Sequence, residues 1–248
     1  MNTPSDPTRD SLTKLSVSDE YTNKDLSSAF EVEVELIKSA YEDIKHELNL
    51  FMYGVERHIG EHPMLTKNGA GIVHSYKSRL KDVDHLAHKI MRKRELGRPV
   101  DSSNFFDEIT DLAGVRILHL FQSHFAQIDA VIRKKVEDGD WHLAERPKAY
   151  TWDPEAAAFF GQFDVDVSQK ETSYTSIHYL IKPREESKLC CEVQVRILFE
   201  EIWGEVDHQM NYPDKSTNIS VAEQIKVLSK IVGAGSRLLD SLQRVGEA

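Results

Sequence analysis

The segment Cys190–Ile197 constrains the fold more than any other stretch of this chain. Cys191, Val193, Val195 and Ile197 alternate with Glu192, Gln194 and Arg196. A helix would spread the three polar residues around its circumference, whereas a strand lines them up on one face. Such a face is either solvated or the floor of a cleft, and the pattern fits both. The run Thr175–Lys182 precedes it across a polar turn, Pro183–Lys188. Together they predict a hairpin-like pair that brings Ser176 and His178 near Glu192 and Gln194.

The remaining pattern supplies helices and further strands. Phe30, Val34, Ile37, Tyr41, Ile44, Leu48, Phe51 and Val55 recur in steps of three and four, which predicts a long amphipathic helix. Ile72–Lys81 reads as a strand with Lys77, Arg79 and Lys81 on one side, and Asp82 as the cap of a helix reaching Arg94. Further on, Phe105–Leu112 reads as helical, Gly114–Phe121 as a strand, Ser123–Asp138 as a helix, and Trp141–Tyr150 as holding another strand. Thr151–Lys170, with Pro154 and Gly161, reads as an irregular loop. A helix is expected over Leu198–Met210, and a last one opening on a Ser220/Glu223 capping box. This mixture predicts an α+β (mixed α/β) fold, a mixed sheet flanked by helices. The domain reading is a disordered tail over 1–26, a main domain over 27–215 including its N-terminal helix, and a C-terminal helix over 216–248 that packs on the core or on a partner.

Charge narrows the function. The chain has 248 residues, 31 basic and 41 acidic side chains, and a net charge of −10, which disfavours wholesale coating of nucleic acid. His74–Arg98 holds eight basic and three acidic residues, a local +5 that leaves the rest at −15. Such an island suits a compact polyanion, and equally a solvated helix face. No apolar run approaches the ~20 residues of a membrane helix. The first residues are not patterned as a secretory signal, and adjacent Cys190 and Cys191 build no disulfide framework, so a cytoplasmic protein is expected. One of the two cysteines is expected to be buried and neither to be a nucleophile. His74, His85 and His88 lack cysteine or carboxylate partners at zinc spacing and read as surface residues. Asp111, just before a strand, and Glu192, within one, are candidates for Mg²⁺, a hard cation that prefers oxygen.

Arg79-Leu-Lys81, Asp111-Leu-Ala-Gly114-Val-Arg116, Ser173-Tyr174-Thr-Ser176-Ile-His178 and Glu192-Val-Gln194-Val-Arg196, followed by Trp203 and His208-Gln-Met-Asn-Tyr212, stand in the order and rough spacing of a known family. Over about residues 70–213 the chain resembles the RelA/SpoT-type (p)ppGpp synthetase domain, and in particular the short single-domain alarmone synthetases. The resemblance implies a nucleotidyltransferase-like fold and Mg²⁺-dependent transfer of pyrophosphate from ATP to the 3′-hydroxyl of GDP or GTP, the reaction of the stringent response. By resemblance, Arg79 and Arg116 sandwich the adenine of ATP, and Lys81 and Lys89 hold its phosphates. Asp111 and Glu192 hold Mg²⁺, and Glu192 takes the proton of the attacking hydroxyl. Tyr174 stacks on the acceptor base, Lys170 and His178 contact the acceptor phosphates, and Gln194 supports the site.

The chain departs from the family pattern at Ser173, usually glycine, at Thr175 and Pro213, where basic residues are common, and at His85, usually serine. These changes favour ATP use over the identity of the acceptor. A toxin of the same family that modifies the tRNA 3′ end and a degenerate non-catalytic nucleotide-binding module are the alternatives. No His-Asp dipeptide occurs, so the hydrolase half of the long relatives has no candidate site. ATP and GDP or GTP are the expected substrates, tRNA a lesser candidate, a membrane no partner, and self-association through the terminal helices is open.

Overall fold

A computed structural model describes residues 15–66, 71–170, 174–211 and 218–246, with side chains from residue 30 onward. Its elements in chain order are α1 (Leu15–Gly60), α2 (Pro63–Thr66), β1 (Val73–Leu80), α3 (Val83–Glu95), α4 (Phe105–Glu108) and β2 (Ala113–His119). A 3-10 turn (Gln122–His124) then leads to α5 (Phe125–Glu137), β3 (His142–Leu143), β4 (Lys148–Thr151), α6 (Pro154–Phe160), β5 (Asp166–Gln169), β6 (Ser176–Lys182), β7 (Cys191–Ile197), α7 (Leu198–Asn211) and α8 (Ile219–Gly246). The chain divides into two compact units, Met1–Asp43 with Asp82–Glu108, and Ile44–Lys81 with Ile109–Ala248.

In the first unit, Val34, Ile37 and Tyr41 of α1, Leu86 and Ile90 of α3, and Phe105 are buried, the core-facing stripes of amphipathic helices. Asp82 caps α3, its carboxylate accepting the backbone N–H of Asp84 and His85. The helix ends at Gly97, whose φ of 73° suits glycine. Lys93 lies 2.8 Å from Glu108, so the basic run of α3 is partly compensated within its own unit.

The second unit holds a seven-stranded mixed sheet in the order β1-β2-β7-β6-β4-β5, with β3 pairing with β6 beyond β4. The β2–β7 and β4–β5 pairs are parallel, and β1–β2, β6–β7, β4–β6 and β3–β6 antiparallel. Val115, Ile117, Val193, Val195, Ile177 and Tyr179 are buried, as are Phe125, Ile128 and Ile132 of α5. Tyr179 Oη donates to Asp129 Oδ1 at 2.7 Å, and Arg133 Nε donates to the same carboxylate at 2.8 Å. Among the described residues, no helix is long and apolar enough to cross a membrane.

Several expectations needed correction. The helix reaches back to Leu15, so only residues 1–14 of the expected tail lie outside the described residues. No proline or glycine separates Leu15 from Phe30, and a formed helix propagates cheaply. Thr151–Lys170 is not irregular. Asp153 accepts the N–H of Glu155 and Pro154 occupies the first turn, which makes α6, and Asp166–Gln169 pairs with β4. Phe159, Phe160 and Phe163 then pack edge-on against Phe125. Phe105–Leu112 shortens to the four residues of α4, because Leu112 already turns into β2 by accepting the N–H of Lys81. The cap of α8 is Asn218, not Ser220, its side chain accepting from the N–H of Ser220 and Val221. Glu223 pairs with Lys226 instead. Both Cys190 and Cys191 are buried, and burial pushes the Cys191 thiol well up.

The Tyr179–Asp129–Arg133 set yields a stability prediction. Asp129→Ala strands the buried Tyr179 hydroxyl and leaves Arg133 with Asp164 as its partner, so unfolding in denaturant should cost about 1–3 kcal/mol less than for the wild type. Tyr179→Phe leaves Arg133 paired, and its loss should be about 1 kcal/mol or less. A second prediction concerns Glu200 in the first turn of α7. Burial pushes its carboxyl up to about 7, Arg196 opposes that rise, and Asp153 adds to it. The folded protein therefore keeps a proton that the unfolded chain releases. Stability from this group is intact below its ordinary value of 4.5 and is lost progressively as pH rises to about 7. Glu200→Gln should raise the melting temperature at pH 8 by several degrees, with little change at pH 4.5. Equal effects at both pH values would contradict this.

Candidate active site

Strand register assembles the site. Arg79 pairs with Gly114, and Gly114 with Glu192. One step along, Lys77 pairs with Arg116, Arg116 with Gln194, and Gln194 with His178. Directly paired residues share a sheet face, so two cross-strand rows carry these side chains on the same side. Asp111 lies two residues before β2, beside the end of β1. A cavity of about 640 Å³ opens over this face and is lined by Arg79, Asp111, Gly114, Arg116, Tyr174, Glu192 and Gln194, with Trp203–Glu205, Asp207, His208 and Asn211 of α7 on its other side. That volume is typical of a small-molecule pocket.

Continuous polar contacts link the rows. Tyr174 Oη lies 2.9 Å from His178 Nε2, and His178 Nδ1 lies 3.0 Å from Glu192 Oε1. Gln194 Nε2 donates to Glu192 Oε2 at 2.8 Å, and Arg116 Nε donates to Gln194 Oε1 at 3.2 Å. Arg116 Nη1 lies 2.6 Å from Glu201 Oε1, and Glu201 Oε2 accepts from Arg196 Nη1 at 2.7 Å. The Arg196 guanidinium lies 4.8 Å from the centre of the Tyr174 ring, which closes the circuit. Arg196 is buried, and it reaches Glu201 past Gly204. A Cβ there would stand 2.8 Å from a guanidinium nitrogen, which accounts for a glycine inside a helix. Trp203 is a packing residue: its Nε1 donates to Ile225 O at 3.1 Å, and its ring forms a buried cluster with Ile225 and Val232 against which Tyr174 rests.

The electrostatics keep the acids ionised. Burial alone would raise the Glu192 carboxyl, but hydrogen bonding and charge from His178 and the Gln194 amide hold it below its ordinary value, against a raising push from Asp111. Glu201 is likewise held down against burial by Arg116 and Arg196. Burial raises the Tyr174 hydroxyl, which therefore stays protonated. Asp111 Oδ2 accepts from Lys81 Nζ at 2.7 Å. Asp111 and Glu192 thus face one space as oxygen donors whose like charges oppose each other, a donor set that fits a hard divalent cation. Among the described residues, no group of three or more His, Cys, Asp or Glu side chains is gathered as a metal site.

The structure brings together Arg79, Lys81, Asp111, Arg116, Tyr174, His178, Glu192 and Gln194. Lys170 stands beside them at one remove: its ammonium lies 4.5 Å over the Tyr150 ring, which meets His178 edge-on at 5.0 Å. Lys89 is a half-buried residue of α3, in the first unit. Of the departures, Thr175 is buried, with its hydroxyl 3.2 Å from that of Thr151, so it offers the cavity no polar group. Ser173 and Pro213 lie outside the described residues, and His85 is exposed on α3. Sequence reasoning missed Glu201 and Glu205. Their signal was weak: two acids at helical spacing after a strand whose penultimate residue is arginine, indistinguishable from an ordinary helix start.

Comparison with known proteins identifies the fold and the family. The small alarmone synthetase 1 from Bacillus subtilis bound to its product pppGpp superposes with a TM-score of 0.60 at 16% identity, over 85% of this chain and 100% of that one. The same protein bound to AMPCPP gives 0.57 at 15% identity over the same shares. A GTP pyrophosphokinase family protein from Streptococcus pneumoniae gives 0.63 at 12% identity, over 83% of this chain and 93% of that one. These likenesses show a shared fold. No curated protein matches the sequence. Residues 78–217, more than half of the chain and all but one of the residues that line the cavity, match the region found in RelA / SpoT proteins. The chain therefore belongs to the RelA/SpoT family.

Proposed function

We propose that this protein transfers the pyrophosphoryl group of ATP to the 3′-hydroxyl of GDP or GTP, with Mg²⁺ held by Asp111 and Glu192. The observation that carries this reading is the single cavity lined by Arg79, Arg116, Asp111, Glu192 and Tyr174, with Arg79, Arg116 and Glu192 set on one sheet face by the two cross-strand rows. Product-bound and ATP-analogue-bound neighbours of the same fold support it.

Each residue has a physical task in this reading. Arg116 donates in its plane through Nε to Gln194 and through Nη1 to Glu201 and Glu205, and its guanidinium faces are offered to a purine. Arg79, exposed at the rim, provides the second plane. Lys81 binds the donor phosphates and also neutralises Asp111. Tyr174 stacks on the acceptor base, and Lys170 and His178 meet the acceptor phosphates. His178, fixed between Tyr174 and Glu192, also orients the Glu192 carboxylate. That carboxylate takes the proton as the 3′-oxygen bonds to the β-phosphorus of ATP. The bond from that phosphorus to the α–β bridging oxygen breaks, and AMP leaves. Mg²⁺, when bound, supplies charge neutralisation on the phosphates. ATP as the donor and a pair of reduced cysteines suit a cytoplasmic protein.

Glu192→Gln should lower the transfer rate about 10²–10⁴-fold while circular dichroism stays unchanged, because a positioned base contributes on that scale. Asp111→Asn should behave alike. Retained turnover in either folded variant would remove the carboxylates from the reaction. Acceptor identity is tested with labelled ATP offered to GDP and tRNA together. Label is expected on GDP, with unlabelled GDP competing and Tyr174→Ala abolishing the preference. Label on tRNA without competition by GDP would replace this reading with the toxin activity.

A further inference from the structure

Two charged side chains at one end of the cavity have no task in the transfer step. Lys77 and Glu205 both line it, and both are about half exposed. Lys77 Nζ lies 3.1 Å from Glu205 Oε1 and 3.0 Å from Glu201 Oε1, and Arg116 Nη1 lies 3.3 Å from the same Glu205 oxygen. An ammonium carries three N–H donors and a carboxylate two acceptor oxygens. Lys77 therefore keeps a donor, and Glu205 keeps Oε2 as an acceptor. Arg116 fixes where this pair stands. A base stacked on its guanidinium lies about 3.5 Å from the guanidinium plane, and Glu205 borders that plane, so Oε2 is within reach of the edge of such a base. Lys77 stands four residues before Lys81 along the extended chain of β1, a rise of about 13 Å. A nucleotide with its base at the Lys77 end thus extends its phosphates toward Lys81 and Asp111.

An acceptor beside a donor distinguishes the two purines. Adenine presents its 6-amino donor next to the N7 acceptor, whereas guanine presents O6 and N7, both acceptors. Stacking on arginine or tyrosine tolerates any base, so discrimination has to come from the base edge. We propose that Glu205 and Lys77 select adenine over guanine in the donor site: Glu205 Oε2 accepts from the 6-amino group, and Lys77 Nζ donates to N7. Guanine would set O6 against the carboxylate and leave both acceptors unpaired, and a site built around such a hydrogen bond rejects the analogue that lacks it. The consequence is that a guanine nucleotide, the acceptor, is kept out of the place where ATP must sit. This selection rests on the reading of Arg116 as the platform for the donor purine.

The test removes the amino group from the ligand rather than from the protein. ATP and purine riboside triphosphate, which is ATP without its 6-amino group, are each titrated into the full-length protein with Mg²⁺ and no acceptor, and each is offered as donor to GDP. The wild type should bind the analogue about tenfold or more weakly than ATP, and its kcat/KM should fall in the same proportion. In Glu205→Ala, a surface change whose folding is checked by circular dichroism, the ratio of the two affinities should fall close to one. Lys77→Met should weaken ATP and the analogue by the same factor, because both keep N7. A wild type that transfers from ATP yet binds the analogue equally well would overturn the selection and leave the transfer reading standing. So would a Glu205→Ala variant that weakens both ligands alike, since Glu205 would then do no more than hold Lys77 and Arg116 in place. A wild type that makes no product from ATP and GDP would remove the transfer reading, and the selection with it.

Discussion

Glu201 is a buried carboxylate shared by three cations. Arg116 lies at 2.6 Å, Arg196 at 2.7 Å and Lys77 at 3.0 Å, which joins β1, β2, β7 and α7 through one side chain. A buried acid is costly unless paired, and so are buried guanidinium groups. Here each supplies the compensation the others need. The arrangement holds α7 over the sheet face at the distance that makes the cavity, and it fixes both arginines on which the rest of the site leans. Gly204 belongs to the same constraint, because any side chain there would meet Arg196.

From this anchor the polar circuit runs outward to Glu192, His178 and Tyr174. Arg116 orients Gln194, Gln194 and His178 hold the two oxygens of Glu192, and Tyr174 closes the path back to Arg196. The consequence is a Glu192 carboxylate that is half-buried, ionised and fixed in direction, as a proton acceptor or cation ligand must be. Neighbouring groups hold its charge by hydrogen bonds rather than by direct neutralisation with lysine. Asp111, by contrast, is paired with Lys81. The two carboxylates thus enter the cavity with different partners and different freedom to take on a cation.

The helices around the sheet divide their work. α5 covers the face behind the site with Phe125, Ile128 and Ile132 and buries the Tyr179–Asp129 hydrogen bond there. α7 and the inner side of α8 form the wall that supports Tyr174. The outer side of α8 contributes nothing to the site, and its aliphatic stripe is unexplained by any contact within its own unit.

The alternation in Cys190–Ile197, the Asp82 cap, the periodic helices and the hairpin turn at Pro183–Lys188 are local patterns, and the sequence by itself determined those elements and the faces of Glu192, Gln194 and His178. The motif order was equally legible, and with it the family. What it left open has a common cause. α6 begins at Asp-Pro, a pair that reads as a break until the phenylalanines that follow are seen packed on Phe125. Tertiary contact overrides local preference there. The parallel pairing of β2 with β7 joins residues far apart in the chain, and no periodicity announces it. Only that register puts Gly114 beside Glu192 and Arg116 beside Gln194. The role of Glu201 depends on the same pairing, since an acid in the first turn of a helix is unremarkable until two arginines from neighbouring strands converge on it. The sequence determined which residues face which side of their own elements. The tertiary structure decided which of those faces meet, because long-range register and charge compensation are properties of the assembled sheet.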